Sequence, residues 1–316
     1  MILNTIHRKV NEFIPWTNVY GIARSLIAIN TLSTLLFNHS EVLFIRNTPQ
    51  ELMGLSHRLI YRYNFFNLFP STEIARFAAI FFLILVIIGW MPRITAILHF
   101  YITLSFLIMC VFIDGGDQVA TVLTLLLVPI AAGDKRHWHF GKSLPMNQSH
   151  NFYMKCVAWF AYIAIRLQVA IIYLHAGTGK FVSNEWVNGT AVWYWFNDPM
   201  FGANYYVNLV LTPMLKSPVI IFFITWGSMV LEILLFLALT MKTSYRKQIL
   251  LAGILFHLSI FVIQGLFSFF FSMTAALLLY LYPINEQIRF RLPSLKQKEV
   301  DDRETTIFRR RSAVDI

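Results

Sequence analysis

Apolar residues in this chain run in long blocks with almost no charge, separated by short polar connections. The blocks fall at about 18–37, 74–91, 94–113, 118–132, 153–175, 218–240, 248–263 and 266–282. Several reach the ~20 residues that a helix needs to cross a hydrocarbon core. The pattern predicts an all-α fold, a polytopic helical membrane protein with about eight transmembrane helices. The fourth block is short and carries Pro129 and Gly133 near its end, so its crossing is the weakest. From Ile249 to Tyr282 the chain is apolar throughout, too long for one crossing at ~1.5 Å per residue. Gln264-Gly265 is the turn signal within it and divides the last two helices. The first block lacks a small-residue cleavage site, which predicts that it stays as the first span.

Composition agrees with this pattern. Hydrophobic residues make up 57% of the 316 and charged residues only 13%, where a soluble domain carries about a quarter charged. The net charge of +10 raises nucleic acid as a partner. The basic residues lie between the apolar blocks, however, so the lipid bilayer and its anionic head groups are the partner and nucleic acid is not. Arg8 and Lys9, then Lys135, Arg136 and Lys142, then Lys242, Arg246 and Lys247, then Arg289 and Arg291 mark four basic segments. An even span count puts all four on one side, which the positive-inside rule makes the cytoplasm. Arg46, Arg58, Arg62 and Lys180 run against the rule, but from long loops where it is weak. The chain is therefore expected to be multi-pass, with both termini cytoplasmic. Residues 1–285 form the transmembrane domain, and 286–316 are expected to be a charged, mobile cytoplasmic tail.

Two long segments, roughly 38–73 and 176–217, then face outside. Both are rich in aromatic rings, among them Phe65 and Phe66 in the first and Trp186, Trp193 and Trp195 in the second. Such rings settle at the head-group layer as interfacial segments, or they roof a cavity between helices; the two readings are compatible. Cys110 and Cys156 lie at opposite depths and are not expected to bridge. Asn188-Gly-Thr190 fits a glycosylation sequon. No repeat, phosphate loop, paired-cysteine metal site or serine elbow stands out.

Charge at membrane depth costs several kcal/mol unless paired, so ionisable residues within the blocks are candidates for function. Arg24, His99 and Glu232 come out in the inner half by residue count, where Arg24 and Glu232 are expected to neutralise each other as a structural pair. Arg166 and His257 come out ~10–14 Å below the outer surface. His175 and Lys180 follow just beyond the same helix as Arg166. Arg166, His257, His175 and Lys180 are therefore expected around one pocket open to the outer face. Each also admits a packing role, and Lys180 a snorkelling one. A lysine among apolar and cationic neighbours becomes a usable base or amine nucleophile.

The segment His175-Ala-Gly-Thr-Gly-Lys-Phe181, followed by Trp186-Val-Asn-Gly189, resembles the signature of the HTTM family, which is related to the transmembrane half of vitamin K-dependent gamma-carboxylase. Phe256-His257, with Gly265-Leu-Phe-Ser268 and Met273, is similar to a later motif of that family. The opening Pro15-Trp-Thr-Asn-Val-Tyr-Gly-Ile-Ala-Arg24 looks like its bacterial sporulation-delaying protein B (SdpB) branch. The resemblance covers about residues 10–285 and implies that Lys180 is a base on the outer side. In an enzyme reading of the chain, His257 and His175 are expected to assist proton transfer and Arg166 to hold an anionic or carbonyl group. The resemblance further implies maturation or release of a secreted antimicrobial peptide, beside a small SdpA-like partner and an SdpC-like toxin precursor. The carboxylases' large lumenal domain has no counterpart among these residues. A non-catalytic chaperone or assembly platform and a quinone-dependent carboxylase or oxidase stay open as alternatives, and any cofactor is unknown.

Overall fold

The computed structural model of the protein describes residues 2–44, 55–141, 151–199, 201–203 and 205–288. Most of the expected 286–316 tail, and Lys142, lie outside them. Among the described residues every regular element is helical. The first half holds α1 (Ile2–Asn11), α2 (Asn18–Phe37), α3 (Ser40–Leu43), α4 (Leu55–Arg62), α5 (Thr72–Ile88), α6 (Pro92–Met109) and α7 (Gly115–Ala132). The second holds α8 (Phe152–Gly179), α9 (Asn184–Val187), α10 (Ala191–Phe196), α11 (Tyr205–Leu215), α12 (Pro218–Leu237), α13 (Thr243–Gln264) and α14 (Phe267–Leu281).

Six of these, α2, α6, α7, α8, α12 and α13, are long and apolar enough to cross a membrane. With 17 residues in α5 and 15 in α14, those two are shorter. The helix starts and stops follow local chemistry. Ser71 caps α5 by accepting from the Ile74 amide at 3.2 Å. Asp114 and Asp117 form a reciprocal capping box at the start of α7. Gly265, at φ 74°, ends α13 in the left-handed conformation that glycine alone adopts without strain, so the expected turn is where the chain divides.

Two apolar cores run side by side. One joins α2, α7, α8 and α14 through Tyr20, Ala23, Ile27, Leu123, Ile165 and Leu277. Alanines at 275 and 276 are fully buried in it and let α14 lie close along α2. The other joins the far half of α2 to α5 and α6 around Phe66, Leu83 and Phe106.

Polar tethers sort the helix ends. Trp16 Nε1 donates to the Ile130 carbonyl at 2.8 Å, Thr17 to Ile284 at 2.6 Å, and Lys155 to Asn11 at 2.6 Å. Lys247 meets Glu286 at 3.2 Å. These contacts gather the start of α2, the ends of α7 and α14 and the starts of α8 and α13 at one end of the bundle. Arg8, Lys9, Lys135, Arg136, Lys242 and Lys247 therefore sit on elements of one end, the grouping that the charge pattern predicts. At the other end Ser268 donates to Asp114 at 2.7 Å.

Candidate functional site

The long helix α8 carries Arg166 and His175 and ends one residue before Lys180. Tyr173 and Gly177 share one of its faces, and Lys180, three residues beyond Gly177 at the helix end, continues that line. This face meets α12 because Gly177 has no side chain: a Cβ there would fall 2.7 Å from Ile233 Cδ1 and 3.5 Å from Glu232 Cβ. The close approach brings the Lys180 ammonium onto the Glu232 carboxylate as an ion pair, with side chains only 17% and 7% exposed. Lys180 Nζ also stands 4.8 Å from the centre of the Trp186 ring, within cation–π range.

After Lys180 the chain folds back along α12. Gly189, at φ 75°, turns it tightly over Phe222, and the Val192 amide then donates to Thr225 Oγ1 at 3.3 Å. Helices α9 to α11 thereby cover a cavity of about 620 Å³ against α12 and α13, with Lys180, just past the end of α8, at its side. Its wall is apolar and aromatic, with Trp186, Trp195, Phe196, Leu211, Phe256 and Ile260 in it and the Lys180–Glu232 pair at one side. Such a volume holds a lipid-soluble group or a few apolar side chains. The aromatic segment divides its roles: Trp186 and Trp195 line the cavity, while Tyr194 and Tyr205 are exposed at 59% and 72%.

Several sequence expectations are corrected here. Glu232 does not meet Arg24. Counting depth from both ends assigned Glu232 to the inner half and Lys180 to the outer surface. The end of α8 in fact lies beside a point ~21 Å along α12 from Pro218. Arg24 is buried instead among neutral partners, donating to Thr95 Oγ1 at 3.0 Å, meeting His139 Nδ1 at 3.3 Å and lying 5.6 Å from the centre of the Tyr20 ring. The second correction concerns Arg166. It reaches the Leu239 carbonyl, beyond the C-terminal end of α12, at 3.4 Å, and so lies midway along α8, 14 residues before Lys180 and away from it. His175 is exposed and does not line the cavity. His257 is buried on the α13 face turned towards α8 and α14, where its Nε2 pairs with the Tyr173 hydroxyl at 2.9 Å and its ring meets Phe269. Its neighbour Phe256 faces the cavity. Of the four residues expected around one pocket, Lys180 alone lines it, and His257 stands behind it through Tyr173.

The sequence reading missed His139. The segment after α7 inserts this ring into the bundle, fully buried, against Gly21 and Gly89. Burial first, and then the Arg24 and Arg136 charges, lower its pKa from 6.5 to about 2, so it is neutral. Two glycines far apart in sequence that make room for one ring leave no periodic signal. Cys110 and Cys156 are both free, as expected. Among the described residues no group of histidine, cysteine and acidic side chains is placed to hold a metal.

These features define a multi-pass helical membrane protein with an apolar cavity and a buried lysine–glutamate pair in its wall. No family model matches the chain, and no solved structure matches it. Two proteins of Bacillus subtilis (strain 168) are similar over most of their length. One is the uncharacterized protein YitO, 38% identical over 87% of this chain and 89% of its own. The other is sporulation-delaying protein SdpB, 36% identical over 91% of this chain and 88% of its own. The chain belongs to the family of these two proteins.

Proposed function

We propose that this protein serves the maturation or release of a secreted antimicrobial peptide toxin of the sporulation-delaying type, with Lys180 as its reactive group. The observation that carries the reading is a lysine paired with a glutamate in the wall of an apolar cavity, in a chain 36% identical to SdpB. Lys180 acts as base or amine nucleophile once its ammonium proton has passed to Glu232, which holds the side chain towards the cavity; the transfer leaves a neutral amine and a neutral carboxylic acid in the apolar wall. The Tyr173–His257 hydrogen bond behind the same face of α8 offers a route for protons. Arg166 and His175 have no part in this site. The partners are an SdpA-like protein and an SdpC-like precursor, and the HTTM resemblance of the Lys180 segment supports the assignment of a base. The chain crosses a bacterial cytoplasmic membrane eight times, with α5 and α14 completing the six longer spans. Both termini are cytoplasmic, residues 286–316 form a tail outside the domain 1–285, and the cavity opens to the outer half.

Exchange of Lys180 for arginine tests the chemistry. Arginine keeps the charge and the pairing with Glu232 but releases no proton near neutral pH. Lys180→Arg is expected to accumulate in the membrane normally and to abolish mature peptide in the medium. Near-parental output from it would remove the catalytic role. It would favour instead a non-catalytic platform, a reading supported by the apolar wall, which can hold a hydrophobic segment without reacting. A requirement for added reduced quinone in isolated membranes would single out a quinone-dependent carboxylase or oxidase.

A further inference from the structure

Arg166 and Arg246 converge at the basic end of the bundle, apart from the Lys180 cavity. Fourteen residues of α8, ~21 Å, separate Arg166 from Lys180. Arg166 Nη2 donates to the Leu239 carbonyl at 3.4 Å and Arg246 Nη2 to the same oxygen at 3.2 Å. Two like charges thus stand side by side at the carbonyl end of α12. That end of a helix attracts cations, which accounts for one N–H of each guanidinium. Each carries five donors in a planar fork. The Nε of both is buried and has no hydrogen-bond partner. Neither arginine forms an ion pair among the described residues, whose four pairs use Arg76, Arg136, Lys180 and Lys247.

A second cavity, of about 220 Å³, opens beside them, bounded by Arg246, Tyr162, Tyr280 and Trp159. Arg166 is not in its wall but stands 6.0 Å from the centre of the ring of Tyr162, which is. Two half-buried guanidiniums without an acid repel one another, and an anion between them relieves both that repulsion and the unmet donors. Forked donors match the tetrahedral oxygens of phosphate, and the bordering Trp and Tyr rings are of the kind that settle at a membrane interface.

We propose that Arg166 and Arg246 form a binding site for a phosphate group of net negative charge, carried by an anionic lipid head group, with no choline-type cation beside the phosphate, or free in solution. The test uses the full chain in nanodiscs of phosphatidylcholine with a minor share of phosphatidylglycerol, followed by mass spectrometry of the lipid it retains on extraction. Phosphatidylglycerol is expected to be enriched about tenfold, the gain of one charge-assisted hydrogen bond. Arg246→Gln and the double Arg166→Gln, Arg246→Gln variant are expected to bring the retained lipid to the bulk ratio. The Lys242→Gln, Lys247→Gln variant, which changes basic residues outside the site, is expected to keep the enrichment. Inorganic phosphate added at rising concentration distinguishes the sources: competition or thermal stabilisation assigns the site to free phosphate, and neither assigns it to the lipid. The parent chain decides the matter even where a variant does not fold. A bulk lipid ratio together with no phosphate-dependent stabilisation of the parent overturns the proposal, as does full enrichment in the folded arginine variants.

Discussion

Neutralising one partner of the Lys180–Glu232 pair strands the other in an apolar wall. Lys180→Met and Glu232→Gln each preserve side-chain volume and remove one charge. The remaining charge is well under a third exposed in either case, so solvent screens it little. Two unit charges ~4 Å apart attract by about 4 kcal/mol at an effective dielectric of ~20. Breaking a buried pair from one side costs about 3–5 kcal/mol. Each single variant is therefore expected to lose about 3 kcal/mol or more, and the double variant to recover most of one such loss, because it strands nothing. The expected coupling energy is about 3 kcal/mol. The assay is reversible unfolding of the purified chain in mixed micelles against a rising fraction of denaturing detergent, followed by tryptophan fluorescence. Losses that add to within about 0.5 kcal/mol would show that the two groups do not interact and would refute the geometry of the site. Arg24→Ala and Glu232→Ala, by contrast, are expected to add, because their partners are separate.

Three further outcomes are expected. His139 is held neutral with a pKa of about 2 in the folded chain against 6.5 ordinarily. The unfolded chain then takes up the extra proton below pH 6.5, so stability falls with acidification by up to ~1.4 kcal/mol per pH unit, about 2 kcal/mol between pH 6.5 and 5. His139→Gln should remove that slope from the difference between unfolding curves, and an unchanged slope would contradict the buried position of the ring. Gly89→Ala combines a φ of 87° with a Cβ 2.4 Å from the His139 ring, whereas a Cβ on Gly179 meets nothing within 4 Å. The first is expected to cost about 2 kcal/mol or more and the second under about 0.5 in the same unfolding assay. For the topology, a cysteine at Asn188 should react with an impermeant maleimide in intact cells and one at Lys242 should not; the opposite result would invert the proposed orientation.

What could be read from the chain alone depends on one-dimensional physics. Each apolar block is long because a crossing helix must satisfy its backbone internally and bury its side chains in hydrocarbon, so helix bounds such as Asn18–Phe37 and the break at Gln264-Gly265 were legible without any knowledge of neighbours. The grouping of basic segments at one end likewise needs only the parity of the helices. Lys180 was legible as a candidate, from its place at the end of an apolar block and from the HTTM resemblance of its segment, and it does line the cavity.

Its partner was not visible. Residue counting assumes that every helix begins and ends at a membrane surface. Here α8 spans 28 residues and its end meets α12 well past its middle, so Lys180 takes Glu232 while Arg166, midway along α8, falls beside Arg246. Lateral contact depends on where glycines such as Gly177 and Gly89 let backbones or rings approach, and a missing Cβ acts on whatever the fold places opposite it. The residues that make up each polar cluster were therefore decided by helix packing, because a buried charge takes the nearest partner in space whatever its distance along the chain.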